Sequence, residues 1–382
     1  MDGYQFLTYK QTVDMFKHSG YDVLEIIKEG VCIANVPELG DRVVAASSTG
    51  VKGINPFFLI PADIKGEAEK YAFRFACGLR DWTGPEGAGR MSLYHKRLPL
   101  TFEDNWYVQE ELNVPKLRVT DRKFIYQDGV ETVGEMRLVN KITDAKFHVG
   151  VEKTTKVLYQ QGQVHFFQGM DLHDVSLVGI DRKVKYTNLG NEVWGDENGY
   201  LFIWSMAMMG CDDQTKIYIP HKGRTESMVE DFKFNDGKPI PAGMRKKLCG
   251  VDVIDADGKE RWKVGVGGEG TKGILMSYMP SIETLALLTF SFNPEGDYLD
   301  GRWTKHPMPT DGQALCAYNN NETIPILPGR FHELEAISES IGGGKGSSGT
   351  LSSRLIFVTG PREKLEMIVQ KGTEHPRIRL AA

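Results

Sequence analysis

The stretch DVLEIIKEGVCIANVPELGDRVVAA, residues 22–46, predicts the fold class. Its three runs rich in β-branched residues, 22–27, 30–36 and 42–46, are separated by Gly, Pro and Asp, which is the pattern of consecutive strands. Before it, Val13 and Phe16 recur at helical spacing, and Gly20 follows as a stop signal. A short helix at about residues 9–18 therefore leads directly into sheet.

The same strand pattern continues through most of the chain. No alternation of strands with helices appears, which argues against a parallel α/β fold and for stacked antiparallel sheets. Pro361 opens a final helix that we expect to reach residue 370. No linker divides the sequence, so we expect one all-β domain over residues 1–382, with a few short helices. Further predicted strands include 164–167, 175–188, 200–206, 284–292 and 351–358.

Composition narrows the range of partners. The 382 residues are 41% hydrophobic and carry a net charge of -5 with both signs interspersed, which gives no electrostatic footprint for nucleic acid or an anionic membrane. The five cysteines are widely spaced and no apolar run could span a bilayer, so we expect a reduced protein without membrane segments. We expect it in the cytoplasm, or in the periplasm if a signal peptide has been removed.

The segment Phe331-His332-Glu333-Leu334-Glu335 is the predicted working centre. In a strand, Glu333 and Glu335 share one face, while His332 lies on the other. Mutual repulsion of the two glutamate carboxylates would raise the pKa of at least one of them and provide a general base. The alternative is that both glutamates point into water on an edge strand.

The second landmark runs from Gly78 to Arg90. Its Gly and Pro residues predict a turn-rich loop that carries Arg80, Trp82 and Glu86. An indole can cover the apolar face of a sugar, and Arg or Glu can bind its hydroxyls. The alternative is a structural loop with a buried tryptophan and an Arg80–Asp81 pair at the surface.

Other candidates are weaker. Trp303 is a candidate for the rim of a pocket, whereas Trp204 lies in a strand that looks too apolar for a site. The histidines are single, so their spacing predicts no metal site, and no motif for a phosphate or dinucleotide cofactor is present. We expect no cofactor.

Taken together, five stretches resemble an uncharacterised bacterial family of the galactose mutarotase-like superfamily. The likeness runs from about residue 20 to residue 370 and rests on the order and spacing of these stretches. It implies a β-supersandwich of large antiparallel sheets with a carbohydrate-sized groove. The stretches are 80–87, 200–209 with 215–220, 252–278, 317–319 and 331–335.

The resemblance also implies chemistry. Mutarotases of this superfamily open the sugar ring with a glutamate base and a histidine acid, and Glu335 falls where that glutamate lies, with Glu333 beside it to tune it. The strand that would offer the histidine reads Phe202-Ile203-Trp204-Ser205-Met206, which contains none. His95 or His332 is then the candidate acid.

Three functions follow as expectations. The first is a carbohydrate-binding protein that epimerises a sugar carbon by acid and base catalysis, with Arg80, Trp82, Glu86 and Trp303 holding the sugar. The second is a non-catalytic sugar-binding or accessory module in polysaccharide use. The third is a relative of polysaccharide lyases or hydrolases. Each has a carbohydrate as its partner, and the oligomeric state is left open.

Overall fold

The computed structural model describes residues 4–65, 77–113, 121–125, 128–234, 237–303, 311–322 and 329–380. Their strands, in chain order, are β1 Leu24–Lys28, β2 Val31–Val36, β3 Arg42–Ser47, β4 Gly78–Gly84, β5 Asp121–Ile125, β6 Gly129–Val139, β7 Lys146–Leu158, β8 Ser176–Asn188, β9 Phe202–Gly210, β10 Lys216–Pro220, β11 Glu230–Asp231, β12 Arg245–Leu248, β13 Val251–Asp255, β14 Trp262–Gly267, β15 Ile274–Met279, β16 Thr284–Phe290, β17 Gln313–Asn320, β18 Phe331–Ile337 and β19 Ser348–Thr359. The helices are α1 Tyr9–His18, α2 Pro61–Ile64, α3 Phe102–Asn105, α4 Glu110–Asn113 and α5 Arg362–Thr373.

These strands form two large antiparallel sheets, which confirms the predicted fold class. The first sheet has the order β1-β2-β3-β4-β9-β18-β17-β14-β11, and the second has the order β12-β13-β10-β15-β16-β19-β8-β7-β6-β5. One hydrophobic core contains residues of both sheets, for example Ile203 and Leu334 of the first with Val184 and Leu288 of the second. The sheets therefore pack face to face around a common interior.

Helices cover the outer faces of the sandwich. Helix α1 occupies the predicted residues, with Thr8 as its N-cap. Its Tyr9, Val13 and Phe16 pack over β2 and β3 of the first sheet. Helix α5 begins after Pro361 and ends at Thr373, three residues beyond the predicted end, and it packs over the second sheet. The outer face of the first sheet from β4 to β14 is left for the candidate site.

Two local predictions were wrong. Residues 164–167 form no strand but part of a turn-rich segment that includes the 3₁₀ turn His165–Phe167, because the fully buried Phe167 anchors it in the cluster under α5. Gly78–Gly84 is the buried strand β4 and not a loop, since it pairs along its whole length with β9. Gly78 has φ +67, and a Cβ there would lie 2.2 Å from the carbonyl oxygen of Val43, so this position requires glycine.

Candidate active site

The strand that carries the glutamate pair is a central strand. β18 lies between β9 and β17, so both of its edges are hydrogen-bonded. Glu335 is fully buried and Glu333 is 6% exposed. The alternative of two solvated glutamates on an edge strand therefore does not hold.

Cross-strand register brings the two sequence landmarks together. Glu335 pairs with Met206, and Met206 pairs on its other side with Arg80. Residues directly opposite each other in neighbouring strands share a face, so Arg80 and Glu335 project from the same side of the sheet. Trp82, two residues along β4, is directly opposite Trp204 of β9 on that same face.

This face points away from the second sheet. The alternate residue Asp81 points the other way, where it contacts Lys153 and Arg182 of the second sheet at 3.0 and 2.6 Å. The Arg80–Asp81 surface pair considered above is thus excluded, because the two side chains lie on opposite faces and both are buried. We define the site floor as seven of the buried residues on the outward face: Arg80, Trp82, Trp204, Lys263, Tyr318, Glu333 and Glu335.

Glu335 is held by two donors in the floor. Trp204 Nε1 donates to Glu335 Oε2 at 2.7 Å, and Lys263 Nζ lies 3.2 Å from the same oxygen. Burial by itself would lower the pKa of Lys263, but the charge of Glu335 raises it above its usual value, so the lysine is an ammonium. Glu335 Oε1 is buried and receives no hydrogen bond from a nitrogen or hydroxyl donor among the described residues.

Glu333 has the opposite electrostatic environment. Burial, and then the negative charge of Glu335, raises the pKa of Glu333 to about 8, although Arg80 and Lys263 oppose the shift. A protonated Glu333 can donate to the Glu335 carboxylate, which also favours its neutral form. At neutral pH Glu333 is therefore a carboxylic acid, while Lys263 and Trp204 contact Glu335 beside it.

Arg80 and Trp82 form a stacked unit beside this pair. The guanidinium carbon of Arg80 lies 3.6 Å from the centre of the Trp82 ring, within cation–π distance. Burial, followed by the charge of Arg42, lowers the pKa of Arg80 to about 9, while the charge of Glu333 acts in the opposite direction. Arg80 still carries a positive charge at neutral pH.

Half-buried side chains surround the floor, and we call them the site rim. Trp106 Nε1 donates to Glu86 Oε1 at 3.1 Å. Desolvation raises the pKa of Glu86, while the nearby Lys263 acts against it. The rim consists of Glu86, Trp106, Phe234, Arg261 and Trp303.

Aromatic contacts connect the rim to the floor. Phe234 lies 6.1 Å from Trp303 and 6.2 Å from Tyr318 of β17, measured between ring centres. The guanidinium of Arg261 lies 4.5 Å from the centre of Phe234, and its Nε donates to the Tyr318 hydroxyl at 3.0 Å. Glu86 and Trp303, predicted from the sequence as sugar contacts, thus lie in one connected site with the glutamate pair.

His95 lies behind the rim. Its ring is edge-on to Trp303 at 4.7 Å. The Ser92 hydroxyl donates to the Glu86 carbonyl at 2.6 Å, so it accepts from the Nδ1–H of His95 at 2.8 Å. Nε2 is then an acceptor, buried and without a hydrogen-bond partner among the described residues. Burial lowers the pKa of His95 to about 4, which suits an acceptor better than a general acid.

His332 is not brought together with the glutamates. It lies on the inner face of β18, where its Nε2 is 2.9 Å from Ser277 Oγ of the second sheet. It is fully buried, and burial lowers its pKa to about 3. This placement does not support His332 as the acid partner of Glu335.

Three floor residues, Trp204, Lys263 and Tyr318, were missed by the sequence analysis. Trp204 looked like an ordinary core residue, and only the register with β18 places its indole N–H on Glu335. Lys263 interrupts the apolar and glycine-rich strand Trp262–Gly267. A single lysine in such a strand was a usable signal, because a buried ammonium requires a carboxylate partner.

Other kinds of site find less support. Within the described ranges, no three His, Cys, Asp or Glu side chains are grouped as metal ligands would be. In the same residues, no helix has the length and apolar content needed to cross a membrane.

The two facing antiparallel sheets define a galactose mutarotase-like β-sandwich. The fold is similar to that of the protein named "Putative aldose 1-epimerase" from Escherichia coli K12, with a TM-score of 0.51, 12% identity, and coverage of 88% of this chain and 99% of that one. It is also similar to the Slr1438 protein of Synechocystis sp. PCC 6803, with a TM-score of 0.50, 10% identity, and coverage of 89% and 96%. At such identities the likeness shows the fold alone.

The sequence itself places the chain in a family. Residues 7–375 match the family of unknown function DUF6786, so the chain belongs to that family. A comparison with curated proteins gives no match.

Proposed function

We propose that this protein binds a carbohydrate at the site defined above and interconverts the anomers of an aldose by proton transfer. The observation that carries the proposal is the glutamate pair. The two carboxyl groups share one face of β18, but Lys263 and Trp204 contact only Glu335, while the pKa of Glu333 is raised. Pairs whose environments separate their pKa values are the usual arrangement for acid and base roles.

Anomer interconversion needs one proton acceptor and one proton donor, and the glutamate pair can provide both. Ring opening removes a proton from the anomeric hydroxyl and adds one to the ring oxygen, and both oxygens are bonded to the same carbon. Glu335 would accept the first proton through its unliganded Oε1, and Glu333 would supply the second. The C1–O5 bond breaks as the carbonyl forms, and closure on the opposite face reverses both transfers.

The surrounding residues support sugar recognition. The half-buried Trp106 and Trp303 provide flat apolar surfaces for the C–H face of a pyranose. Glu86 and Arg261 offer an acceptor and donors for hydroxyl groups. Arg80 and Trp82 lie deeper, where they shape the floor.

The proposal is tested by measuring anomer interconversion for a panel of aldoses by NMR. We expect Glu335→Gln and Glu333→Gln each to lower the catalysed rate by about 100-fold or more, since each removes one proton-transfer group. Glu295→Gln, an exposed position outside the site, is the matched control and should leave the rate unchanged. Equal rates for wild type and Glu335→Gln would contradict the catalytic role.

Binding is measured separately. Trp303→Ala should weaken sugar binding, which is monitored by the change in intrinsic fluorescence. Its effect on the turnover of bound sugar should be smaller. Sugar binding without acceleration of any aldose would contradict the enzymatic proposal and leave a binding module. No binding of any sugar would overturn the proposal as a whole.

A further inference from the structure

A cavity lies on the far side of the molecule from the candidate active site. Along β10, Ile217 and Ile219 point into the core between the sheets, whereas Tyr218 points outward toward α5. On this outer face, strands β10, β12 and β13 and the segment after α5 enclose a cavity of about 660 Å³. That volume is in the range of small-molecule sites. Its polar lining includes Lys216, Tyr218, Lys246, Asp255, His375, Arg377 and Arg379.

The charges of this cavity are strongly one-sided. Four cationic side chains line it, against the single carboxylate of Asp255, which pairs with Lys216. Arg379 lies 3.5 Å from Glu366. Lys246 and Arg377 form no ion pair with any described residue, although the protein has a net charge of -5. A local excess of positive charge in a concave site attracts anions.

Two buried polar atoms in the lining also lack partners. The Tyr218 side chain is fully buried, and its hydroxyl has no hydrogen-bond partner among the described residues. The Nδ1 atom of His375 is likewise buried and unpartnered within the described part of the chain. Buried tyrosine hydroxyls normally have a partner, because an unmade hydrogen bond is costly. An acceptor-rich ligand would provide one for Tyr218.

We propose that this cavity binds a small anionic molecule whose phosphate or carboxylate groups contact Lys246 and Arg377 and accept a hydrogen bond from Tyr218. Arg offers a planar fork of donors and Lys a compact positive charge, and both suit such groups. The ligand would connect strand β12 with the segment after α5. The site is independent of the proposed sugar chemistry, because none of its residues belongs to the site floor or rim.

The test is calorimetric titration of the full chain with inorganic pyrophosphate and with citrate, at constant ionic strength set by chloride. We expect at least one probe to bind, and Lys246→Ala/Arg377→Ala to weaken it about tenfold or more, as loss of two charge-assisted contacts should. Lys52→Ala/Lys183→Ala removes the same charge from exposed positions outside the cavity and should bind as wild type does. If only pyrophosphate binds, the ligand carries phosphate groups. If only citrate binds, the ligand carries carboxylate groups.

Tyr218→Phe separates a built site from general attraction to positive charge. It removes one hydroxyl and keeps the packing against α5, so we expect the fold to be retained and probe affinity to fall several-fold. The proposal is overturned if neither probe binds wild type at millimolar concentration. It is equally overturned if the two double variants bind alike, or if Tyr218→Phe binds as tightly as wild type.

Discussion

Glu333 and Glu335 are two residues apart on one strand face, yet their surroundings differ. The sequence analysis predicted that at least one carboxyl of the pair would have a raised pKa, and that prediction is confirmed at Glu333. The asymmetry comes from Lys263, which compensates Glu335 at 3.2 Å. A residue of another strand thus gives the two carboxyl groups different surroundings.

The raised pKa of Glu333 makes a prediction about stability. Its pKa is about 8 in the folded protein and near 4.5 when unperturbed, so the folded state binds the proton more tightly. The resulting stabilisation is present in full below about pH 4.5 and is lost as the pH rises to about 8, at roughly 1.4 kcal/mol per pH unit. Glu333→Gln should remove this part of the pH dependence.

Urea unfolding between about pH 5 and pH 9 measures the effect. The free energy of unfolding of wild type should fall with pH more steeply than that of Glu333→Gln, while Glu295→Gln should follow wild type. Parallel curves for wild type and Glu333→Gln would show that Glu333 is not the group that holds the proton.

Strand β4 has a different partner on each of its faces. Arg80 and Trp82 face the candidate site, while Asp81 points between the sheets to Lys153 and Arg182. Burial by itself would raise the pKa of Asp81, but these two cations bring it below its usual range. The segment looked like a surface loop because its charged residues find their partners only in other strands.

Asp81→Asn is therefore expected to be strongly destabilising. It leaves Lys153 buried without its carboxylate and weakens the compensation of Arg182, which should lower the free energy of unfolding by about 3 kcal/mol or more. Asp181→Asn is the matched control, because Asp181 pairs with Arg354 near the surface of the second sheet. Its expected cost is below about 1 kcal/mol. Chemical denaturation compares the two, and equal costs would contradict a buried network.

On the scale of the whole molecule, three packed regions hold the sandwich together. The main core lies between the sheets, α1 covers one end of the first sheet, and α5 covers the outer face of the second. Leu365, Ile368 and Val369 of α5 are fully buried against that sheet. This leaves the outer face of the first sheet for the candidate active site and places the positively charged cavity beyond α5.

Substitutions at two neighbouring positions of α5 test whether the helix stabilises the second sheet. Ile368→Ala removes a fully buried side chain and should cost about 2–4 kcal/mol of unfolding free energy, because a cavity remains under the helix. Met367, the preceding residue, is 42% exposed, and Met367→Ala should change stability by less than about 0.5 kcal/mol. Thermal and urea unfolding give both values. A small loss for Ile368→Ala would mean that α5 adds little to the fold.

The sequence by itself determined the strand-rich class, both terminal helices and the shared face of Glu333 and Glu335, because propensity and alternation are local properties of a chain. Only the tertiary structure decided that β18 is a central strand, that Gly78–Gly84 is a strand, and that Trp204 and Lys263 hold Glu335. The physical reason is register. Pairing of strands more than a hundred residues apart determines which side chains meet, and no local pattern of the sequence encodes that alignment.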